Sequence, residues 1–283
     1  MVTEHTAAVP QEFALETYPL RDDQFLAIGE LVKHVAGIYL HAGKEGLVRS
    51  RLAHRLRALR LANFDEYLGY LEHDVSGTEL SNMVDVITTN KTSFFREAEH
   101  FRFLQNYLLP LHAHAATPLS VWSAGCSSGE EPYTIAMVLR ELLSIEQLSR
   151  CRVLGTDISS RILAKARQAV YRQDLLADVP PQLAARYFVR DRKSGTAAVA
   201  DDVRRLVRFA RLNLMADWPM SGPFHAIFCR NVMIYFDRDT QQRLVERFTE
   251  LLAPGGFLFV GHSESLTPLR HELRYVQPAV YAR

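Results

Sequence analysis

The chain has 283 residues, enough for two unequal domains, and its 48% hydrophobic and 23% charged content describes a globular protein able to bury a full core. Disordered and fibrous classes are excluded by that composition. The formal net charge of +1 advertises neither nucleic acid nor membrane, so an electrostatic partner has to be read from a local patch.

Residues 103–129 carry no Asp, Glu, Lys or Arg, yet Pro110, Pro118, two histidines and several amides and hydroxyls interrupt them, so no bilayer span is expected. The opening MVTEHTAAVPQEF has neither a basic n-region nor an apolar h-region. Cys126, Cys151 and Cys229 lack CxxC spacing. A reduced, cytoplasmic, monomeric protein without structural zinc is the expectation.

From Asp22 to about Val86 apolar residues recur at helical spacing: Phe25, Ile28, Leu31, Val32 and Val35, then Leu47, Val48, Leu52, Leu56 and Leu59, then Tyr67, Leu68 and Leu71. This predicts a small all-helical domain over 18–88, with Gly37 to Gly46 as a loop and Asn63 or Asp65 as a helix cap. A linker and helix over 89–110 follow. After Pro118 short apolar runs (LSVWSA, CRVLGT, VRFARL, HAIFC, GFLFVG) alternate with amphipathic segments, which predicts a mostly parallel α/β sheet over 111–283. ELRYVQPAVYA reads as a closing antiparallel hairpin around Gln277-Pro278. About fifty residues separate Asp157 from the next strand of the series, so an inserted, projecting β excursion is expected over about 171–211, turning at Lys193-Ser194-Gly195.

VWSAGCSSGEEPYTIAMVLREL reads as strand, glycine turn and helix, with Pro132 suited to the first helical position. Gly125 and Gly129 let the backbone approach a ligand, but Glu130 and Glu131 at the helix start would repel a pyrophosphate. The next strand ends at Asp157, where a carboxylate can accept ribose hydroxyls. A nucleoside that is cationic and phosphate-free, such as S-adenosylmethionine, suits both features; a capped helix and an ordinary surface Asp are the plainer alternative.

NKTSFFRE at 90–97, SAGCSSGEEPYTIAM at 123–137, GTDIS at 155–159, FHAIFCRNVMIYFD at 224–237 and GGFLFVGHSESL at 255–266 together resemble the chemotaxis receptor methyltransferase (CheR) family, in the right order from about residue 20 onward. The resemblance implies an α/β fold: a helical N-terminal domain, then a Rossmann-like class I methyltransferase sheet with a small antiparallel β subdomain. It implies transfer of methyl from S-adenosylmethionine to glutamate carboxylates on the cytoplasmic domains of chemoreceptors, leaving S-adenosylhomocysteine. Carried over by motif, Asn90, Thr92, Arg96, Gly125, Glu130, Asp157, Asn213, Leu214, Arg230 and Asn231 are expected at the cofactor, with Arg96 and Tyr235 catalytic. On the residues alone, Asn90 reads equally as a helix cap, Arg96 as a surface charge, Asn213 as a loop amide, Arg230 as an internal ion pair and Tyr235 as a core aromatic.

The local basic patch is GKEGLVRSRLAHRLRALRL, where Arg49, Arg51, Arg55, Arg57 and Arg60 flank a leucine stripe. It is expected to read acidic receptor helices; an RNA backbone would also suit it. A nucleic-acid methyltransferase and a silent S-adenosylmethionine-sensing partner are the rival readings. The first is disfavoured by RNVMIYF in place of a base-handling motif, so no nucleic-acid partner is expected; the second is disfavoured by the presence of Arg96, Asp157 and Tyr235. No metal is expected, since His112-Ala-His114 lacks further ligands and His262-Ser263-Glu264 reads as loop packing. The single glycine of the 193–195 turn departs from the glycine-rich hairpin of tail-binding family members, which implies receptors without a tethering tail.

Overall fold

The computed structural model describes residues 18–88, 90–112 and 118–283, which divide into two compact units. In the smaller unit lie most of α1 (Asp22–Ala36) and all of α2 (Glu45–Leu59), α3 (Phe64–His73) and α4 (Thr78–Ile87). Each buries the stripe its spacing demands: Phe25 and Ile28 from α1, Val48, Leu52 and Leu56 from α2, Phe64 and Tyr67 from α3, Met83, Val84 and Ile87 from α4. Asn63 caps α3 by accepting from the Glu66 amide at 2.9 Å, and Arg60 ends α2 in the left-handed conformation.

The larger unit holds Val32–Leu40, with the end of α1, and from Thr88 onward α5 (Glu99–Phe103), a π-helical turn (Leu104–Leu108) and α6 (Leu109–His112). Then come β1 (Ser120–Ala124), α7 (Glu130–Leu142), α8 (Ile145–Ser149), β2 (Arg152–Asp157) and α9 (Ser160–Gln168). The excursion supplies β3 (Val170–Arg172), α10 (Pro181–Tyr187), β4 (Phe188–Asp191) and β5 (Thr196–Val199). The main series resumes with α11 (Asp201–Arg204), β6 (Val207–Arg211), β7 (Phe224–Cys229), α12 (Arg238–Leu251), β8 (Leu252–Val260), β9 (Arg274–Gln277) and β10 (Val280–Ala282).

Seven strands form one sheet in the order β6-β2-β1-β7-β8-β10-β9, parallel from β6 to β8 and closed by the antiparallel β9–β10 hairpin. Side chains alternate across it: Val121, Ala226, Phe228, Phe257, Phe259 and Val280 enter one core, and Trp122, Ala124, Ile227, Cys229, Leu258 and Val260 the other. With both faces covered the strands read as unbroken apolar runs, and all six residues of β7 are buried.

Three expectations change. The excursion is a separate sheet of order β3-β5-β4 that ends at Val199 rather than near 211; VRFARL, expected as a strand of the main series, is β6 at its edge, paired in parallel with β2. It does not project freely either, since Tyr171, Phe188, Ala197 and Val199 are buried in the main core and Phe94 meets Tyr171 and Phe188 edge-on at 4.9 and 5.2 Å. Pro132 is the third residue of α7, which opens at Glu130 after a left-handed Gly129; proline is still tolerated there because first-turn N–H groups have no helical acceptor.

Candidate active site

The carboxyl ends of β1 and β2 lie side by side, and the turn leaving β1 is tied to β2. Gly125 N and Cys126 N both donate to the Thr156 carbonyl at 2.8 Å, and Trp122 Nε1 donates to Thr156 Oγ1 at 2.9 Å. Gly125 has φ +78°, and a Cβ there would lie 2.4 Å from Val232 Cγ2, so the turn admits no side chain. Asp157 ends β2 buried, accepting from Ser127 N at 2.9 Å and Ser159 N at 3.0 Å, which fixes its carboxylate against the turn. Glu130 is buried at the start of α7 and accepts the Ser128 hydroxyl; burial raises its carboxyl above the ordinary range, against the pull of that hydroxyl. Two carboxyls at a glycine turn fit a cationic, phosphate-free nucleoside and repel a pyrophosphate.

The segment 90–97 approaches the same turn. Ser127 Oγ donates to the Asn90 carbonyl at 3.2 Å, and Phe95 N to Thr134 Oγ1 of α7 at 3.2 Å. Phe95 and Glu97 on either side of Arg96 both have positive φ, 54° and 56°, a backbone conformation held by its surroundings. Arg96 is half-buried and donates Nη1 to the Lys91 carbonyl at 2.8 Å; Thr92 is half-buried on the same segment.

Beneath Arg96 the Arg230 guanidinium, 2% exposed, pairs with Glu131 at 2.9 Å and Glu97 at 3.1 Å and donates to the Arg96 carbonyl. The Glu97 contact is an ion pair without aligned hydrogen-bond geometry. Burial pushes both carboxyls upward; the guanidinium outweighs this at Glu97, which sits below the ordinary range, while Glu131, also accepting Ser123 Oγ at 2.7 Å, stays above it. Arg230 thus makes the internal ion pairs of the plainer reading, and through the Arg96 carbonyl it shapes the 90–97 segment.

Asn231 follows with φ 57°, and its amide joins a second buried cluster. The Glu264 carboxylate accepts from Asn231 N at 2.8 Å, Val232 N at 3.0 Å, Ile234 N at 3.2 Å and Gly261 N, so one side chain clamps the loops after β7 and β8. Tyr235 lies in the 3₁₀ turn of this loop, half-buried against the second core, and its carbonyl accepts Tyr39 N at 2.8 Å. Asn213 uses its amide structurally: Nδ2 donates to the Val35 carbonyl at 2.6 Å, and Oδ1 accepts Met215 N at 3.0 Å. Leu214 is buried beside it.

Residues 23–88 match the family model described as "CheR methyltransferase, all-alpha domain", and residues 90–282 match "CheR methyltransferase, SAM binding domain". The chain belongs to the CheR family. It is 42% identical to a chemotaxis protein methyltransferase of Escherichia coli over 94% of this chain and 93% of that protein, and 42% identical to one of Klebsiella aerogenes over 93% and 90%. A chemotaxis protein methyltransferase 2 of Pseudomonas aeruginosa is 41% identical over 95% and 96%. The protein is an S-adenosylmethionine-dependent methyltransferase, and S-adenosylmethionine is its cofactor.

In this CheR protein the basic face of α2 is smaller than its sequence suggests. Arg51 donates to the Ile87 carbonyl, and Arg55 forms a two-point pair with buried Glu79, at 2.9 and 2.5 Å, that Tyr67 OH joins at 2.9 Å. Both serve α2–α4 packing, because positions four apart on α2 share the face turned to α4. Arg49 is half-buried, and only Arg57 and Arg60 of the five are exposed. The His112-Ala-His114 pair lies outside the residues whose side chains are described. No helix among the described residues is long and apolar enough to cross a membrane.

Sequence reasoning missed Glu97 and Tyr171, whose hydroxyl donates to the Ser128 carbonyl at 2.7 Å, and it placed Glu131 with Glu130 at the ligand rather than on Arg230, while Glu264 does pack loops as read. For Glu131 a signal existed. Neighbouring helical residues point about 100° apart, so a Glu-Glu pair cannot act as one acidic patch.

Proposed function

We propose that this CheR protein methylates side-chain carboxylates of glutamates on the cytoplasmic domains of chemoreceptors, giving methyl esters. The observation that carries the reading is the pairing of a doubly acidic cofactor turn, Glu130 and Asp157, with a fixed guanidinium segment at Arg96. Bound S-adenosylmethionine supplies an electrophilic methyl group on a sulfonium. Asp157 orients the ribose, and Glu130 carries the negative charge that a cationic donor requires. A glutamate has a pKa of about 4.3 and arrives ionised, so no residue has to remove a proton. The protein's contribution is alignment, which is worth up to roughly 7–11 kcal/mol.

Arg96 makes a single off-axis contact to the incoming carboxylate; a bidentate clamp would stabilise the ground state and slow attack. Tyr235 orients the acceptor. Asn90 and Thr92 border the cofactor from the 90–97 segment, Leu214 supplies apolar contact, and Asn213, Arg230 and Asn231 position the loops. Arg57 and Arg60, with Arg49 beside them, attract acidic receptor helices; Arg51 and Arg55 are withdrawn from that role. With one glycine in its 193–195 turn, the small sheet engages no receptor tail.

The test is transfer of labelled methyl from S-adenosylmethionine to receptor-containing membranes. Base-labile label on receptor is expected of a glutamate ester. Base-stable label, or label on RNA alone, overturns the reading.

A further inference from the structure

Glu97, His100 and His262 place three ligand atoms within 4.8 Å of one another. They come from three places: the strained segment after Arg96, α5, and the loop that leaves β8. His100 is fully buried, and neither of its ring nitrogens has a hydrogen-bond partner. A buried polar group without a partner is costly, and a core position next to Phe259 would accept an apolar side chain as well. Its Nδ1 lies 3.6 Å from Glu97 Oε2, while the His262 ring stands nearly perpendicular to it at 5.2 Å. Ligand atoms around a tetrahedral zinc, at about 2.0–2.1 Å from the metal, are roughly 3.3–3.4 Å apart. The Glu97–His100 pair is close to that spacing, and the third ligand atom, on exposed His262, lies within 4.8 Å of both.

Charge points the same way. Two carboxyls whose side chains are 13% exposed, Glu97 and Glu131, share the single Arg230 guanidinium, so the cluster can take further positive charge. Two imidazoles and one carboxylate are a set that zinc accepts with a fourth position left for water.

We propose that Glu97, His100 and His262 bind one divalent transition-metal ion of the zinc type, at a site separate from the cofactor turn. Coordination draws Glu97 away from Arg230, which also holds the Arg96 carbonyl, so the metal slows methyl transfer without displacing the cofactor. This effect on turnover rests on Arg96 acting in the reaction; the metal site itself does not.

The experiment titrates the tag-free full-length protein with Co2+, read by its ligand-field absorption, and then displaces it with Zn2+. One equivalent per chain is expected in wild type. His262→Ala changes an exposed side chain and keeps the core intact; it should weaken binding at least tenfold, while His34→Ala on the exposed part of α1 should leave it unchanged. No saturable binding by wild type, equal affinity in His262→Ala, or a thiolate charge-transfer band from a cysteine site would each overturn the proposal. If metal binds as expected but turnover is indifferent to Zn2+, the site stands and the coupling to Arg96 is what fails.

Discussion

Burial of Glu130 sets up a measurable pH effect at a single residue. Its raised carboxyl takes up a proton at a higher pH than an exposed glutamate, and protonation removes the charge that a cationic donor meets. Affinity for S-adenosylmethionine should therefore fall on mild acidification, and Glu130→Gln should both flatten that dependence and weaken binding. Hydrogen bonds to charged groups contribute about 1.5–3 kcal/mol, which corresponds to roughly 10–100-fold in affinity. Calorimetry across the acidic range checks both; unchanged affinity in Glu130→Gln would remove the residue from the cofactor. Glu264 makes a second case. Glutamine there offers one acceptor oxygen and turns an NH2 toward N–H donors, so Glu264→Gln should destabilise by about 1–3 kcal/mol. Turnover should fall more than cofactor affinity, since Asn231 and the Tyr235 turn lose their anchor; thermal unfolding and steady-state kinetics separate the two effects.

Helix α12 shows how much one cap carries at the scale of an element. Asp237 accepts Thr240 N at 3.0 Å and pairs with Lys33 at 3.1 Å; the Thr240 contacts dominate in holding its carboxyl down to about 2, from an ordinary 3.8. With the folded pKa depressed, the unfolded chain binds more protons in that window, so this stabilisation is complete above pH 3.8 and is lost as pH falls toward 2. Asp237→Ala should cost about 1–2 kcal/mol at neutral pH, and Asp237→Asn less, because asparagine also caps. Urea denaturation at neutral and acid pH reads both variants. On α2, Arg57→Glu with Arg60→Glu should raise the apparent receptor KM and flatten its salt dependence while leaving cofactor affinity alone. The same exchange at Arg55 should instead unfold the helical unit, since it leaves Glu79 buried beside a second carboxylate.

The product S-adenosylhomocysteine should stabilise the whole molecule by about 2.7 kcal/mol at a hundred times its Kd, seen as a raised Tm; no shift would mean that the turn does not hold the nucleoside. The elements were legible in the sequence for a physical reason: a parallel sheet covered on both faces writes itself as apolar runs such as HAIFC, and helices write a 3.6-residue stripe. The Gly125 turn and Asp157 were legible because neighbouring strand ends bring their residues together. What stayed hidden depends on contacts between residues far apart in the chain. Arg230 finds Glu131 across 99 residues, Glu264 finds Asn231 across 33, and Arg55 finds Glu79 across 24. Nothing in linear spacing distinguishes such charges from solvated ones or names their partners, so Arg51 and Arg55 read as surface and the acidic partners of Arg230 stayed unseen.

The hydroxyl of Tyr171 on the Ser128 carbonyl joins the inserted sheet to the cofactor turn through one strong hydrogen bond, with Phe94 wedged behind it. Free-energy linkage is reciprocal: to the extent that a ligand on β3 changes the affinity of the turn for the methyl donor, the donor changes the affinity for that ligand by the same factor. Tyr171→Phe, which removes the hydroxyl and keeps the ring against Phe94, is the change that would cut this one link between sheet and turn.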